Sequence, residues 1–359
     1  MPSISDAVME KLHGYEFDTF LIGASIPQSI LDREDELRSR FKIKGHEGIK
    51  TQTTKFLSKK INFYLKKRID YSRPDLTILV SLAEKTFTII PRALWMSGRY
   101  QKFDRGIPQR SVLCNICNGL GCAQCNYEGR SPKSVQGIIT AVLVKMFDAE
   151  SCNFVWLGSE DENSLVEGSG RPFYVEIIKP KKRGMRAIEK SSGFKINKER
   201  RAVRLNGIRI SKMQLLNTKV TVVPQFEIVA SINLLRKPGG ATLDEAQVET
   251  VESKFSHLWA TVRLSRKLRA VRKRIESIKL EVLENGNVIH MNVMCDGGIP
   301  LKKLVNGIDN SVEPNLSEAL LGYEIDPRRP FDILDVRIKK IQAPASHQLQ
   351  KEWELSDSA

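Results

Sequence analysis

Gly158-Ser159-Glu160-Asp161-Glu162-Asn163-Ser164-Leu165-Val166-Glu167-Gly168-Ser169-Gly170-Arg171-Pro172-Phe173 places four carboxylates, Glu160, Asp161, Glu162 and Glu167, between two glycine-rich turns. The apolar run before it, Phe154-Val155-Trp156-Leu157, has the length and composition of a buried strand. Phe173-Tyr174-Val175-Glu176-Ile177-Ile178 after it predicts a second strand. Asp161 is therefore expected on a short loop held between two rigid elements, the kind of place where catalytic residues gather. The same residues also suit a solvated acidic turn. The next stretch of chain is strongly basic, and an Asp in a positive field stays ionised, as a carboxylate nucleophile must.

Outward from this loop, charge is distributed unevenly. The 359 residues carry 57 Lys or Arg against 42 Asp or Glu, a formal net charge of +15. Residues 179–212 hold thirteen basic residues and two Glu, a net +11, and residues 263–279 hold eight basic residues and Glu276, a net +7. The remainder is net −3. Basicity confined to two segments has the form of an electrostatic footprint for a polyanion, and Lys181, Lys182, Arg183, Arg204, Arg209 and Arg272 are its candidate RNA contacts. Within the first run, Val203-Arg204-Leu205-Asn206-Gly207-Ile208-Arg209-Ile210 predicts a two-residue Asn-Gly hairpin. That register sets Arg204 opposite Arg209, a repulsive pair unless an anion lies between them; a solvent-screened pair is the plainer alternative.

The length suffices for two or three domains, and hydrophobic residues make up 41% of the chain, enough for a sizeable core. Lys or Glu interrupts every apolar stretch before it reaches membrane-spanning length. The N-terminus lacks the basic and apolar regions of a signal peptide, so a cytoplasmic location with reduced cysteines is expected. Cys114, Cys117, Cys122 and Cys125 form two CxxC pairs separated by four residues, with Gly119 and Gly121 between them. This spacing suits one closed, tetrahedral structural Zn²⁺; disulfides or chance spacing are the alternatives. Cys152 and Cys295 stand apart and are expected to pack as small hydrophobes.

The rest of the chain alternates helices and strands. A strand over Phe17–Ile22 precedes a charged helix from about Ser29 to Phe41. A second helix between Gly45 and Arg68 carries Ile49, Phe56, Leu57, Ile61 and Leu65 on its expected apolar face. Leu76–Leu82 and Phe87–Ile90 predict a hairpin, with Arg92, Arg99, Lys102 and Arg105 close behind. Ser134–Phe147 predicts an amphipathic helix. Strands are expected over 219–235, 279–283, 288–294 and 332–341, with the two middle ones joined around Asn285-Gly286. A helix capped by Thr242, with Glu245 completing a capping box, a short helix over Leu301–Val305 and another capped by Asn315 complete the pattern. Residues 346–359 have the composition of a loose tail.

His46-Glu47-Gly48-Ile49-Lys50, Arg73-Pro74-Asp75-Leu76 and Ser97-Gly98-Arg99-Tyr100 resemble a THUMP domain, an α/β module that grips the ends and acceptor region of tRNA. Further blocks come in order: the four-cysteine knuckle, Gly158-x-Glu160-Asp161, Gly170-Arg171-Pro172-Phe173, Leu301-Lys302-Lys303-Leu304-Val305-x-Gly307, Pro314-Asn315-Leu316-Ser317-Glu318 and Ile333-Leu334-Asp335-Val336. Up to about Lys340 the chain resembles a divergent member of the archaeal tRNA pseudouridine(54/55) synthases. The resemblance implies an α+β protein: a THUMP-containing tRNA-binding domain over 1–110, a four-cysteine zinc knuckle over 111–130, a pseudouridine synthase domain with a mixed sheet and flanking helices over 131–345, and a tail over 346–359. It implies tRNA as partner, with Arg99 among its candidate contacts, and no organic cofactor; no membrane segment and no protein partner are evident in the sequence.

By the same resemblance Asp161 is the nucleophile that isomerises uridine to pseudouridine, on a target flipped from its stack. Lys302 is the basic partner that keeps it ionised, and Phe226 and Pro300 stand where the family has substrate-side tyrosines. Ser159 and Glu227 stand where it has arginines, and Asn163-Ser164-Leu165 where it has Asp-Val-Arg. Two readings result: a tRNA pseudouridine synthase acting through Asp161, or a non-catalytic tRNA-binding relative such as a folding helper. A membrane-surface protein fits less well, because the basic runs lie on strands rather than on an amphipathic helix.

Overall fold

The computed structural model describes residues 4–125, 127, 129–156, 160–184, 194–196, 202–211, 223–236, 243–264, 269–283, 287–307, 311–320, 323–325 and 331–342. They divide into two compact units, one made of 1–94, 143–153 and 176–187, the other of 95–142, 154–175 and 188–359.

In the first unit a four-stranded sheet has the order β2-β1-β3-β4, with β1 at Thr19–Ser25, β2 at Arg68–Ile69, β3 at Leu76–Ser81 and β4 at Thr86–Pro91. β1 lies parallel to β2 and β3, and β3 and β4 form the expected hairpin. Helices α1 (Ile4–Leu12), α2 (Gln28–Arg40) and α3 (Ile49–Leu65) accompany it. Its core is Val8, Leu12, Phe17, Phe20, Ile22, Leu57, Ile61, Leu76, Ile78 and Val80, drawn from alternate strand positions and an i, i+4 pair on α3. Phe56, expected on that apolar face, is 64% exposed. It sits about 100° around the helix from Leu57, and the buried stripe runs through Leu57, Ser58 and Ile61 instead. Asp75 ties the β3 entry down: it accepts from the Asp18 and Thr19 amides and pairs with Arg92 at 2.8 Å. Burial opposes the ionised Asp75, but these partners outweigh it and hold its pKa below the usual value.

The second unit holds a large mixed sheet with the path β14-β11-β12-β13-β10-β16-β7-β5-β9-β8. Its strands are β5 (Leu94–Lys102), β6 (Ser151–Trp156), β7 (Val166–Ile178), β8 (Phe194–Ile196), β9 (Val203–Ser211), β10 (Val223–Arg236), β11 (Leu258–Leu264), β12 (Arg269–Leu283), β13 (Val288–Asp296), β14 (Val312–Glu313), β15 (Tyr323–Ile325) and β16 (Asp332–Gln342). Helices α5 (Glu245–Phe255), α6 (Leu301–Asn306) and α7 (Leu316–Ala319) complete it, and α4 (Val135–Phe147) belongs to it as far as Val142. β6 is half-buried rather than buried. α5 is capped by Asp244 with Gln247 completing the box, two residues beyond the expected Thr242. Thr242, the Asn285-Gly286 turn and the 346–359 tail lie outside the described residues.

Two glycine readings change. Asn206-Gly207 does not turn a hairpin. β9 runs straight through it and pairs antiparallel with β5, with Arg99 opposite Asn206 and Ser97 opposite Arg209. Two residues of β9 therefore oppose Gly98 alone, and Gly207, at φ 56°, supplies the left-handed residue that such a bulge needs. The dipeptide that closes a tight hairpin elsewhere serves a bulge here, so Arg204 and Arg209 are not cross-strand partners. Gly168-Ser169-Gly170 is likewise not a turn but the bent start of β7. Gly170 has φ 79°, and a Cβ there would lie 2.6 Å from the Tyr100 carbonyl oxygen, so no larger residue fits.

β5 supplies the pins of this unit. Arg99 is 1% exposed. Its guanidinium donates to the Gly170 and Val336 carbonyls, both at 2.8 Å, joining β5, β7 and β16. This corrects its assignment as an RNA contact: buried carbonyls, not phosphate, take its protons. Lys102, with no exposed side-chain surface, pairs with the equally buried Glu160 at 3.0 Å. Its ammonium also donates to the carbonyls of Ile107, Asp161 and Glu162 at 3.0, 3.0 and 3.2 Å. Burial pulls the Lys102 pKa down, with Glu160 pulling it back. A Lys102→Met variant takes from the buried Glu160 its nearest cation, leaving it the Tyr100 hydroxyl and the more distant Arg171, and breaking such a pair costs about 3–5 kcal/mol. Denaturant unfolding is expected to show a loss of that size, and a change under about 1 kcal/mol, the range of an exposed pair, would mean that the pair is not structural.

Candidate active site

The loop that begins at Glu160 is built from its backbone outward. Lys102 holds three of its oxygens, one on the Glu160 carboxylate and two on the Asp161 and Glu162 carbonyls. Tyr100 donates its hydroxyl to the other Glu160 oxygen at 2.7 Å and accepts from Gln109 Nε2 at 2.9 Å. Burial first, and then the Glu160 charge, pushes the Tyr100 hydroxyl pKa well above its ordinary value, so it serves as a fixed donor. Arg171, 3% exposed, brings its Nε to 3.9 Å from Glu160. The far end of the loop is closed by Arg105, whose two guanidinium nitrogens take both oxygens of Asp332 at 2.6 Å, while the Leu165 amide donates to Asp332 at 2.9 Å. Arg105 also donates to the Asn163 carbonyl. Both ends of the loop are thus tied through its backbone by charged hydrogen bonds, which are stronger than neutral ones.

Asp161 lies between these ties, with only 5% of its side chain exposed. One carboxylate oxygen accepts from the Asn163 amide at 3.0 Å, which fixes the side-chain torsion. The other meets Lys302 Nζ at 2.5 Å. Lys302 stands on the first turn of α6, behind the N-cap Pro300, and is 40% exposed. The structure therefore joins the two residues that the resemblance paired, across a separation of 141 positions. A lysine at this contact neutralises the carboxylate without consuming it. Gly158 and Ser159 lie outside the described residues.

The other expected site residues are scattered. Phe226 is 4% exposed on β10, between Cys295 of β13 and Ile338 of β16. Its neighbour Glu227 accepts from Asn292 Nδ2 at 3.2 Å. In the first unit, Lys181 pairs with Asp148 at 3.1 Å and Lys182 is exposed. Arg183 is spent locally: it donates to the Arg92 carbonyl at 2.6 Å, lies 3.5 Å from Asp75 and is 10% exposed. It is a structural arginine rather than a phosphate contact. Arg204 lies over the Phe103 ring at 5.1 Å, Arg209 is half-buried in β9, and Arg272 lies over Trp259 at 5.6 Å. Sequence reasoning misses Tyr100, Gln109, Lys102 and Arg171 as parts of the site. Only the coincidence of Tyr100 and Lys102 on one face of a strand, at i and i+2, hints at a shared target.

The four knuckle cysteines are reduced, and their sulfurs lie within 4.8 Å of one another. Three of the separations are 3.8, 3.7 and 3.7 Å. Four sulfurs at about 2.3 Å from a central zinc would stand roughly 3.8 Å apart at the edges of the tetrahedron. The Gly121 and Cys122 amides donate to Cys117 and Cys125 sulfurs at 3.2 and 3.3 Å, as suits thiolates. The donor set fits a tetrahedral metal. Cys152 and Cys295 behave otherwise: burial pushes both thiols up to about 12, so both stay protonated and inert.

Comparison with known proteins identifies the family. Residues 95–338 match the family described as Pus10, C-terminal, and residues 4–81 match Pus10 THUMP domain, archaeal. A relative from Nitrosopumilus maritimus (strain SCM1), named tRNA pseudouridine synthase Pus10, is 33% identical over 338 residues, covering 90% of this chain and 80% of the relative. Relatives of the same name from Cenarchaeum symbiosum (strain A) and Methanocaldococcus jannaschii are 29% and 30% identical, over 89% of this chain and 75% and 69% of their own lengths. The fold is the α+β arrangement that the sequence implied, and the chain belongs to the Pus10 family.

Proposed function

We propose that this protein is a tRNA pseudouridine synthase that converts a uridine of the TΨC arm, at tRNA position 54, 55 or both, to pseudouridine, with Asp161 as the nucleophile. The observation that carries the reading is the buried Asp161 carboxylate with Lys302 Nζ at 2.5 Å, in a chain whose relatives are named for this reaction. The reaction needs one ionised carboxylate in a water-poor site. An Asp161 oxygen attacks the ribose at C1′ or the uracil ring. The N1–C1′ bond breaks, the uracil rotates, C5 bonds to C1′, and the bond to the Asp161 oxygen breaks to return the free carboxylate. The proton lost from C5 balances the one gained at N1, so the product is an isomer and no redox partner or organic cofactor enters. Lys302 supplies the positive charge that faces the carboxylate before attack, and the clamp from Lys102 on the loop backbone fixes where it points.

Two features favour a slow enzyme. Phe226 offers no hydroxyl where the family has a tyrosine, and Ser159 and Glu227 offer no guanidinium. One missing donor of this kind is worth about 2.7–4 kcal/mol of transition-state stabilisation, or roughly two to three decades in rate. These same replacements support the second reading, a relative that binds tRNA without modifying it. Zinc at Cys114, Cys117, Cys122 and Cys125 would hold the knuckle closed and supply order to a segment with little core of its own. Among the described residues no helix is long and apolar enough to cross a membrane.

Three results are expected. With an unmodified tRNA transcript, the purified protein forms pseudouridine, read as the isomer by nucleoside mass spectrometry. Asp161→Asn binds the transcript as the parent does and forms none, because RNA affinity comes mainly from the basic segments. A parent that forms no pseudouridine over hours at stoichiometric enzyme leaves the binding-only reading, whereas an active Asp161→Asn removes Asp161 from the role of nucleophile. Metal analysis of protein purified without chelator finds one zinc per chain, lost in Cys114→Ser/Cys122→Ser together with a lower unfolding midpoint; a zinc-free, fully stable parent would contradict the site.

A further inference from the structure

β11 and β12 form a ribbon that overhangs the large sheet. β12 pairs with β13 only from Ile275 onward, where Ile275 meets Cys295. Its earlier residues, from Arg269 to Arg274, pair among the described residues with β11 alone. The root of the ribbon is fixed: the Arg274 amide donates to Asp296 at 2.9 Å, and the Lys273 ammonium lies beside Gly298. Asp296 and Gly298 belong to the segment that runs from β13 into α6, which carries Lys302. The overhang therefore stands at the end of the sheet from which Lys302 reaches Asp161.

The ribbon has two unlike faces. Ala260 and Val262 are fully buried. The opposite face carries Trp259, Thr261 and Arg263 on β11, and, by register, Arg274 and Arg272 beside them on β12. Two of its three arginines are neutralised. Arg263 makes a two-pronged pair with Glu313 at 2.8 and 2.9 Å, and Arg274 pairs with Glu276 at 2.8 Å. Arg272, among the described residues, meets no carboxylate; it lies over the indole of Trp259 at 5.6 Å. Trp259 is 47% exposed, which is costly for so large an apolar group. Arginine–aromatic pairs are common on protein surfaces, about one per 70–80 residues. This one stands apart because it combines a half-exposed indole with an uncompensated guanidinium in a segment of net +7.

We propose that Trp259 and Arg272 form a stacking platform for one unpaired nucleotide of the RNA substrate, next to the uridine presented to Asp161. An unpaired base has two π-faces to offer, and proteins take such bases on aromatic rings and guanidinium planes. The phosphate of the same nucleotide supplies the anion that Arg272 lacks. A base flipped out for chemistry leaves its neighbours unstacked, and a platform at this end of the sheet recovers part of that cost. The proposal rests on the reading of the chain as a tRNA-acting enzyme, and the platform itself is read out by binding.

The test uses the full chain and an unmodified tRNA transcript, with affinity measured over a range of salt for the parent, Trp259→Ala, Trp259→Phe and Arg272→Gln. Stacking a base on an aromatic side chain is worth about 1–3 kcal/mol. Trp259→Ala is thus expected to bind roughly 5- to 150-fold more weakly, with the salt slope unchanged and one unpaired nucleotide losing its protection from chemical probing. Trp259→Phe restores most of the affinity, and Arg272→Gln lowers the slope by about 0.7–0.9 for its one phosphate. An unaltered unfolding midpoint in the Phe variant keeps folding out of the comparison. Trp259→Ala binding within about twofold of the parent, well short of a stacked base, overturns the platform, as does a Phe variant that folds normally yet binds no better than Ala. A parent that makes pseudouridine while Trp259→Ala binds as tightly removes the platform and leaves the synthase reading. Tight parent binding with no pseudouridine, weakened by Trp259→Ala and restored by Phe, does the reverse.

Discussion

A lysine with no exposed surface is an expensive thing to build, and Lys102 is the constraint around which the second unit is arranged. Taking an ammonium out of water costs several kcal/mol even after relaxation. Here the Glu160 carboxylate and three carbonyl oxygens stand in for the lost water. Two of those carbonyls belong to Asp161 and Glu162, so the cost of burying the charge is offset only if the loop keeps one conformation. Glu160 is satisfied in turn by Tyr100. Remove any member and a buried polar group is left without its partner, which is the expensive outcome for such networks. The network therefore specifies the loop more than it stabilises the fold.

From this clamp the geometry of the site is set. Arg105 and Asp332 hold the other end of the loop, and Arg99 ties together the three strands behind it. Asp161 keeps one local freedom, its side-chain torsion. The Asn163 amide fixes one of its oxygens and Lys302 meets the other. The work is divided: the buried Lys102 and Arg99 and the partly exposed Arg105 position the backbone, while the more exposed Lys302 faces the carboxylate proposed to react.

How much of this is legible in the sequence depends on whether the signal is local. The strands around the loop, the four-cysteine spacing and the β3–β4 hairpin are set by periodicity and turn chemistry within a few residues. The pairing of Asp161 with Lys302 is legible only through the resemblance to a family. Basic residues are misread where charge is counted without its neutralisation. Arg99 and Arg183 lie in basic stretches, yet their partners are carbonyls or a carboxylate far off in the chain, which no local count reveals. Asn206-Gly207 carries the chemistry of a tight turn, but a glycine with positive φ serves a bulge equally well, and the long-range pairing of β9 with β5 decides between them. Lys102 escapes notice because a buried lysine looks, in sequence, like any other surface lysine.

The Lys102–Glu160 network is held to place the Asp161 carboxylate for the proposed chemistry, and the most direct test is the single-turnover rate of pseudouridine formation in Glu160→Gln at saturating tRNA. The substitution keeps the shape and removes the charge that faces Lys102. A displacement on the order of 1 Å in a reacting group costs about a hundredfold. The expected result is a fall of that order with tRNA affinity unchanged. A rate equal to that of the parent would show that Asp161 is positioned without the network and would contradict its role.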